Sequence, residues 1–318
     1  MRISAMVVAR CAGVVVPVAV FALSAGAQTL NPAFASDYTI TDLGSVPALP
    51  PRYGGMAFKQ GDPNTLLIGG FANAANGAMY AVSVVRDAEN HITGFNGDAA
   101  YFADAAYNDG GVAYDPSGSV LFTSRWPVNQ VGQLKPGSTA TDKIIDLGAL
   151  GVPGGHAALN FPPAGFPGSG RLKMSSWSGG EWFDARIVPD GTGTFDIVDV
   201  TQVTDATLPG GPEGFTYVPF GSTGFTHPSM LVSEYSAGNV AVYQMDSNGD
   251  PIVSSRQDFI TGLSGAEGAV IDPMTGDFLF STFGGGDRIV VVSGFEIPAP
   301  GAVSILALGG IATLRRRR

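Results

Sequence analysis

The sequence predicts an all-β chain wound into a five-bladed propeller, and three observations predict it. The first is composition: 45 glycines and 22 prolines in 318 residues, with no convincing 3.6-residue apolar period away from the two ends. The second is a repeated glycine element. Gly55-Met56-Ala57-Phe58, Gly111-Val112-Ala113-Tyr114, Gly155-His156-Ala157-Ala158, Gly214-Phe215-Thr216-Tyr217 and Gly268-Ala269-Val270-Ile271 recur at intervals of 56, 44, 59 and 54 residues. The third lies downstream of each glycine: a short strand closing on an aromatic residue, a small-residue turn, and another apolar strand. Three strands and a fourth, repeated near fifty residues, are the pattern of propeller blades.

The elements are justified in chain order. Each innermost strand starts at the glycine element. Second strands are expected at Leu66–Phe71, Val120–Trp126, Leu172–Trp177, Leu231–Tyr235 and Phe278–Phe283, and third strands at Met79–Val85, Gln130–Leu134, Trp182–Val188, Asn239–Met245 and Asp287–Val292. Outer strands read at Ile92–Phe95, Lys143–Leu147, Phe195–Val200 and Val253–Ile260, leaving the fifth blade without one. The first strand of the chain, Tyr38–Gly44, matches the outer strand Lys143–Gly148 and is expected to fill that gap. Closing the ring in this way removes the open sheet edges that invite aggregation. Long first and third intervals keep a six-bladed ring as the alternative, and a two-sheet sandwich with accidental self-similarity is the other competitor.

Both ends of the chain read as addresses. Residues 1–27 form a secretory signal peptide: Arg2 and Arg10, the apolar Cys11–Leu23, and the small-residue cleavage site Ala25-Gly26-Ala27. Arg10 directly before Cys11 excludes a lipoprotein signal. Cys11 is the one cysteine, so the exported part has none, and disulfides and thiol catalysis are excluded there. The propeller is assigned to residues 37–296. Residues 297–318 comprise Ile297-Pro298-Ala299-Pro300-Gly301, an apolar run Ala302–Leu314, and Arg315, Arg316, Arg317 and Arg318. That run is shorter than the ~20 residues a bilayer core requires, so it spans only with thinning or by drawing in neutral neighbours. The terminal arginines would stay on the cytoplasmic side.

This tail resembles the PEP-CTERM sorting signal, with Ala299 in place of the usual acidic middle residue. The resemblance implies export, transient membrane retention, and cleavage near Pro298–Pro300 by an exosortase-type transpeptidase; the alternative is a permanent short anchor. Removing Arg2, Arg10 and Arg315–Arg318 from the 17 basic residues leaves 11 against 27 acidic ones, a net of −16. Such a surface excludes nucleic acid as a partner and repels anionic polysaccharide unless divalent cations intervene.

Strand motifs within the repeats, Leu231–Tyr243 and Phe278–Ile289, resemble those of NHL and gluconolactonase-like propellers across residues 38–295. These motifs describe scaffold rather than chemistry, and fold does not settle function. Aligning the repeats gathers distant residues onto one face of the channel. Inner-strand entries supply Tyr53, Asp109, His156, Glu213 and Glu267; second-strand ends supply Phe71, Arg125-Trp126, Trp177, Glu234-Tyr235 and Phe283. Asp109, Glu213, Glu267 and, more distantly, Glu234 offer oxygen ligands of the kind Ca²⁺ takes, and carboxylates sharing a channel repel unless a cation or proton intervenes. Gluconolactonase-like enzymes hold a metal in this channel, and Glu213 is the position that matches first. The structural reading of the same carboxylates is that they accept backbone N–H groups at the strand starts.

The aromatic positions either pack between blades or stack on a sugar ring or peptide. His156 is a general base in a lactonase-type reading and a lone channel-lining residue otherwise. Asp246-Ser247-Asn248-Gly249-Asp250 imitates the start of a calcium loop, but Gly249 is one position early and Gln257 stands where a bidentate Glu belongs, so a type I′ hairpin turn explains it. His91 and His227 lack ligand-spaced partners. Two functions stand as expectations: an exported, surface-sorted module binding extracellular polysaccharide or another envelope component without a cofactor, or a divalent-metal lactonase-like hydrolase or lyase.

Overall fold

The computed structural model describes residues 28–295, so the signal segment and the sorting tail lie outside the described residues. Five antiparallel sheets form five blades. The first runs Met56–Lys59, Asp62–Gly70, Ala78–Arg86, Ile92–Asp104, and the second Asn108–Tyr114, Leu121–Arg125, Gln130–Leu134, Lys143–Asp146. The third runs His156–Asn160, Leu172–Ser176, Glu181–Pro189, Phe195–Thr207, and the fourth Pro212–Tyr217, Ser229–Glu234, Asn239–Met245, Pro251–Thr261. The fifth is Ala266–Ile271, Phe278–Thr282 and Ile289–Ser293, completed on its outer edge by Thr39–Gly44 from the start of the chain. The five-bladed ring therefore holds, and the six-bladed alternative does not.

Closure occurs at the expected seam. Thr39 faces Ser293, Ile40 faces Val292, Thr41 faces Val291 and Asp42 faces Val290, with a bulge before Gly44 meets Ile289. Arg288 adds an ion pair to Asp42 across the same seam. One element is not expected from the sequence: Thr29–Leu30 pairs with Thr261 and Ile260 as a fifth strand on the fourth blade. The turn after it buries Phe34 and Tyr38 against Phe225, Phe259 and Phe295.

Apolar side chains of alternating strand positions fill the space between each pair of neighbouring blades, so the core is five separate wedges rather than one. Between the fourth and fifth blades, Leu231, Val240 and Phe259 meet Phe278, Phe280 and Val290, all fully buried. Burying such side chains contributes about 1.5–3 kcal/mol each relative to exposure. Two outer strands are far longer than expected, thirteen residues in both Ile92–Asp104 and Phe195–Thr207.

The recurring glycine has a packing reason. Inner strands converge on the axis until backbone touches backbone: a Cβ on Gly111 would sit 2.3 Å from Leu159 N, one on Gly214 2.7 Å from the Gly268 Cα, and one on Gly268 2.7 Å from the Gly55 Cα. No side chain fits there, so glycine is required. The contact of inner strands also divides the axis into a cavity on each face. On the face where second strands begin, Met56, Phe58, Val112, Tyr114, Val270 and Ile271 help line the larger one. The other face, where inner strands begin and second strands end, carries the acidic residues.

Candidate functional site

Asp109, Glu213 and Glu267 are the second residues of the inner strands of the second, fourth and fifth blades. Period-two alternation and the tight axis bring the three carboxyls together: one oxygen from each lies within 4.8 Å of the others. All three residues are buried, at 1%, 5% and 1% exposure. Asp109 Oδ2, Glu213 Oε2 and Glu267 Oε1 each lack a hydrogen-bond partner. The expected capping of strand-start N–H groups is thus not what fixes Glu213 and Glu267. Asp109 is held by a neighbour: the Asn73 amide donates to its Oδ1 across 2.8 Å.

Burial dominates the electrostatics. It pushes the Asp109 carboxyl up to about 7, the contact with Glu267 and the bond from Asn73 offsetting part of the rise. Glu213 is raised well above the carboxylate range by burial and by the charge of Asp109. Glu267 is raised by burial, then by Glu213 and Asp109, and its contact with Asp109 favours a proton on Glu267 donated to Asp109. Burial raises Tyr235 too, helped by the same three carboxyls. Burial and mutual repulsion thus oppose charge on all three floor carboxyls, and a cation would favour it.

Above the floor is a cavity of about 310 Å³ lined by Arg52, Asn73, Trp126, Trp177, Glu213, Tyr235, Glu267 and Phe283. Its four aromatic residues are half-buried. They stand in two steeply inclined pairs, Trp126 with Trp177 at 6.1 Å between centroids and Tyr235 with Phe283 at 6.0 Å. The Trp177 indole N–H is buried without an acceptor. Arg52 and Asn73 sit on turns with positive φ, 65° and 64°, and Arg52 forms no ion pair among the described residues. Sequence reasoning misses these two positions, since each lies in an irregular connection with no repeat counterpart.

Several expected site residues lie elsewhere. Glu234 belongs to a structural network: Arg256 grips it with Nε at 2.8 Å and Nη2 at 2.5 Å, and Tyr243 donates to it at 2.6 Å. Arg125 turns back to donate its Nε to Ala106 O at 2.9 Å, with its guanidinium 5.9 Å from the Tyr107 ring. Consecutive strand residues face opposite ways, so of Arg125-Trp126 and Glu234-Tyr235 only the aromatic member reaches the cavity. Tyr53 is buried at 1% exposure, its hydroxyl accepting from Val46 N at 3.0 Å. His156 is buried outside the cavity lining, and burial lowers its pKa to about 3, a backbone contact at Ser175 offsetting little. That shift leaves it neutral and a weak base.

The Asp246–Asp250 segment is a hairpin turn, with Asp246 Oδ1 accepting from Asn248 N and Asp250 N. Only Gly249 among its central residues has positive φ, which corrects type I′, since that turn needs two. Asp250 is committed to Lys173 and Trp182. His91 Nδ1 donates to Asp277 Oδ2 at 2.6 Å, outside the acidic floor.

Fold and site together define a five-bladed propeller with an acid-floored, aromatic-walled pocket at one mouth of its axis. No protein-family model and no curated protein matches the chain. Solved structures show a distant likeness to the chain. A Trichoderma reesei carbohydrate-active enzyme of family AA12, solved with iodide, is 11% identical with a TM-score of 0.50, over 84% of this chain and 98% of that one. A glutaminyl cyclase of Myxococcus xanthus is 13% identical with a TM-score of 0.47, over 80% and 95%. An auxiliary nutrient binding protein of Bacteroides ovatus is 11% identical with a TM-score of 0.43, over 81% and 76%.

Proposed function

We propose that the chain is an exported binding module, sorted to the cell surface by its PEP-CTERM-like tail, whose ligand enters the acid-floored pocket. One observation carries this reading: half-buried aromatic walls stand over three buried carboxyls with unpartnered oxygens. Native structures rarely leave buried polar atoms unpaired without a reason such as a ligand. The chain's exit is consistent with surface display. Ser293 ends beside Thr39, and its neighbour Val292 pairs with Phe278, which pairs with Ile271 on the wall of the opposite cavity. A chain anchored through residues 297–318 would hold the pocket away from the membrane.

Retention of extracellular polysaccharide on immobilised full-length protein tests the proposal. Trp177→Ala is expected to abolish retention while leaving the fold intact, and equal retention by the variant contradicts a pocket-borne ligand.

The spacing of the three carboxyls favours a second reading, a divalent-metal hydrolase or lyase of lactonase type. Asp109, Glu213 and Glu267 would hold Ca²⁺, a cation suited to an all-oxygen set, and the ion would polarise a carbonyl oxygen. This reading requires metal in the dialysed protein by elemental analysis, a melting temperature that rises with added Ca²⁺, and loss of lactone turnover in Glu213→Gln. A metal-free protein indifferent to Ca²⁺ eliminates it.

A further inference from the structure

We infer that the pocket recognises an ammonium-bearing sugar, a hexosamine residue whose amine is free rather than acylated. The inference rests on the pocket being a ligand site and names the chemistry of that ligand. Three features select it independently: the donors the floor lacks, the shape of the walls, and the charge of the exported protein.

The floor is a set of acceptors. Glu213 and Glu267 line the cavity, each more than nine-tenths buried with one oxygen unpartnered, and Asp109 completes the cluster. A primary ammonium presents three N–H donors at tetrahedral angles. With charge-assisted N···O distances near 2.8 Å, its acceptors stand roughly 4.6 Å apart. The three carboxyl oxygens lie within 4.8 Å of one another. A quaternary ammonium has no donors to give, and a neutral hydroxyl gives only one.

The walls require a ring. Two steeply inclined aromatic pairs offer faces to a saturated ring's C–H groups and, through their quadrupoles, to a nearby cation. A volume of about 310 Å³ stands at the small end of ligand sites and suits a single monosaccharide. Trp177 and the Arg52 side chain line the same wall. Beyond the pocket, the net charge of −16 outside the targeting segments draws a polycation and repels a polyanion.

The test uses the full-length chain in mild detergent. Two of its three tryptophans line the pocket and report binding by fluorescence. Glucosamine and its β-linked oligomers are expected to shift the emission and raise the melting temperature. N-acetylglucosamine and glucose should bind at least about tenfold more weakly, the loss expected when charged hydrogen bonds are removed. Glu213→Gln and Glu267→Gln, near-isosteric changes, should weaken glucosamine by a similar factor while leaving the circular dichroism spectrum unchanged. The oligomer and the monomer together tell a polymer from a free sugar, both within the proposal.

Equal binding of glucosamine and N-acetylglucosamine overturns the inference but leaves a sugar-binding pocket standing. Binding of n-butylamine or tetramethylammonium as tight as that of glucosamine also overturns it, because the ring then contributes nothing. No response to any of these, with Trp177→Ala indifferent as well, removes the inference and the binding function together.

Discussion

Two groups of buried carboxylates lie in one molecule and have opposite surroundings. Around the blades, buried acids are supplied with donors, and several with a cation. Glu234 has Arg256 and Tyr243; Asp250 has Lys173 at 2.6 Å and the Trp182 indole at 2.9 Å; Asp272 has Arg86. At the axis, Asp109, Glu213 and Glu267 have one another and a single amide. The same chain and the same strand geometry produce both groups. Where a carboxylate serves the fold, a cation or several donors stand within reach; at the pocket floor the one donor from outside the acid cluster is the Asn73 amide on Asp109, and one oxygen of each carboxyl has no partner. The comparison separates acids paired for the fold from acids left with unpartnered oxygens, and it does so without reference to any relative.

Substitutions should break the two groups in opposite directions. The largest effect is expected at Lys173, fully buried between Asp250 and Asp184 at 2.6 and 2.9 Å. Lys173→Met leaves buried charge uncompensated and should cost about 3–5 kcal/mol in chemical denaturation. The next effect is pH. In the ligand-free pocket, floor carboxyls hold protons that the unfolded chain has already released, so unfolding releases protons and stability falls as pH rises. Asp109, moving from an ordinary unfolded value to about 7, should lower stability by about 2 kcal/mol between pH 5 and 7, and the raised Glu213 and Glu267 act in the same direction. Arg52 and Tyr235 face the same cavity, and Asn73 bonds Asp109; none reverses that sign. A melting curve series in metal-free buffer checks the slope.

Gly214→Ala probes the geometry of the floor rather than its charge. Its Cβ would stand 2.6 Å from Glu267 O and 2.7 Å from Ala269 N, both backbone atoms with nowhere to move, so a loss of about 2 kcal/mol is expected by the same denaturation measurement. Smallest of all is Glu213→Gln. It removes an acid that burial and Asp109 already oppose, and should leave stability within about 1 kcal/mol, shifting toward a gain as pH rises. A large loss here would erase the distinction between the two groups.

The ring itself was legible because its determinants repeat. The glycine element recurs five times in the sequence, although in the third blade Gly155 precedes the inner strand and Ala158 and Leu159 make the axis contact with Gly111. The pairing of Thr39–Gly44 with Ile289–Ser293 comes from matching an orphan strand to a missing edge. The thirteen-residue outer strands were not legible, since their exposed residues show no clean burial pattern. At the site, Asp109, Glu213 and Glu267 come together as the repeat alignment implies. Glu234 and Arg125 do not, because a one-residue offset at a strand end reverses the side-chain face. Arg52 and Asn73 left no signal, for their placement depends on left-handed turns in connections that do not repeat.

Infrared difference spectroscopy of the carboxyl band is the most direct test of the pocket floor. At pH 6 the ligand-free protein should show buried protonated carboxyl that diminishes when a cationic ligand enters and that is reduced to the Asp109 contribution in a Glu213→Gln, Glu267→Gln double variant. A band missing from the wild type at that pH, or one unmoved by both glucosamine and Ca²⁺, would contradict the account.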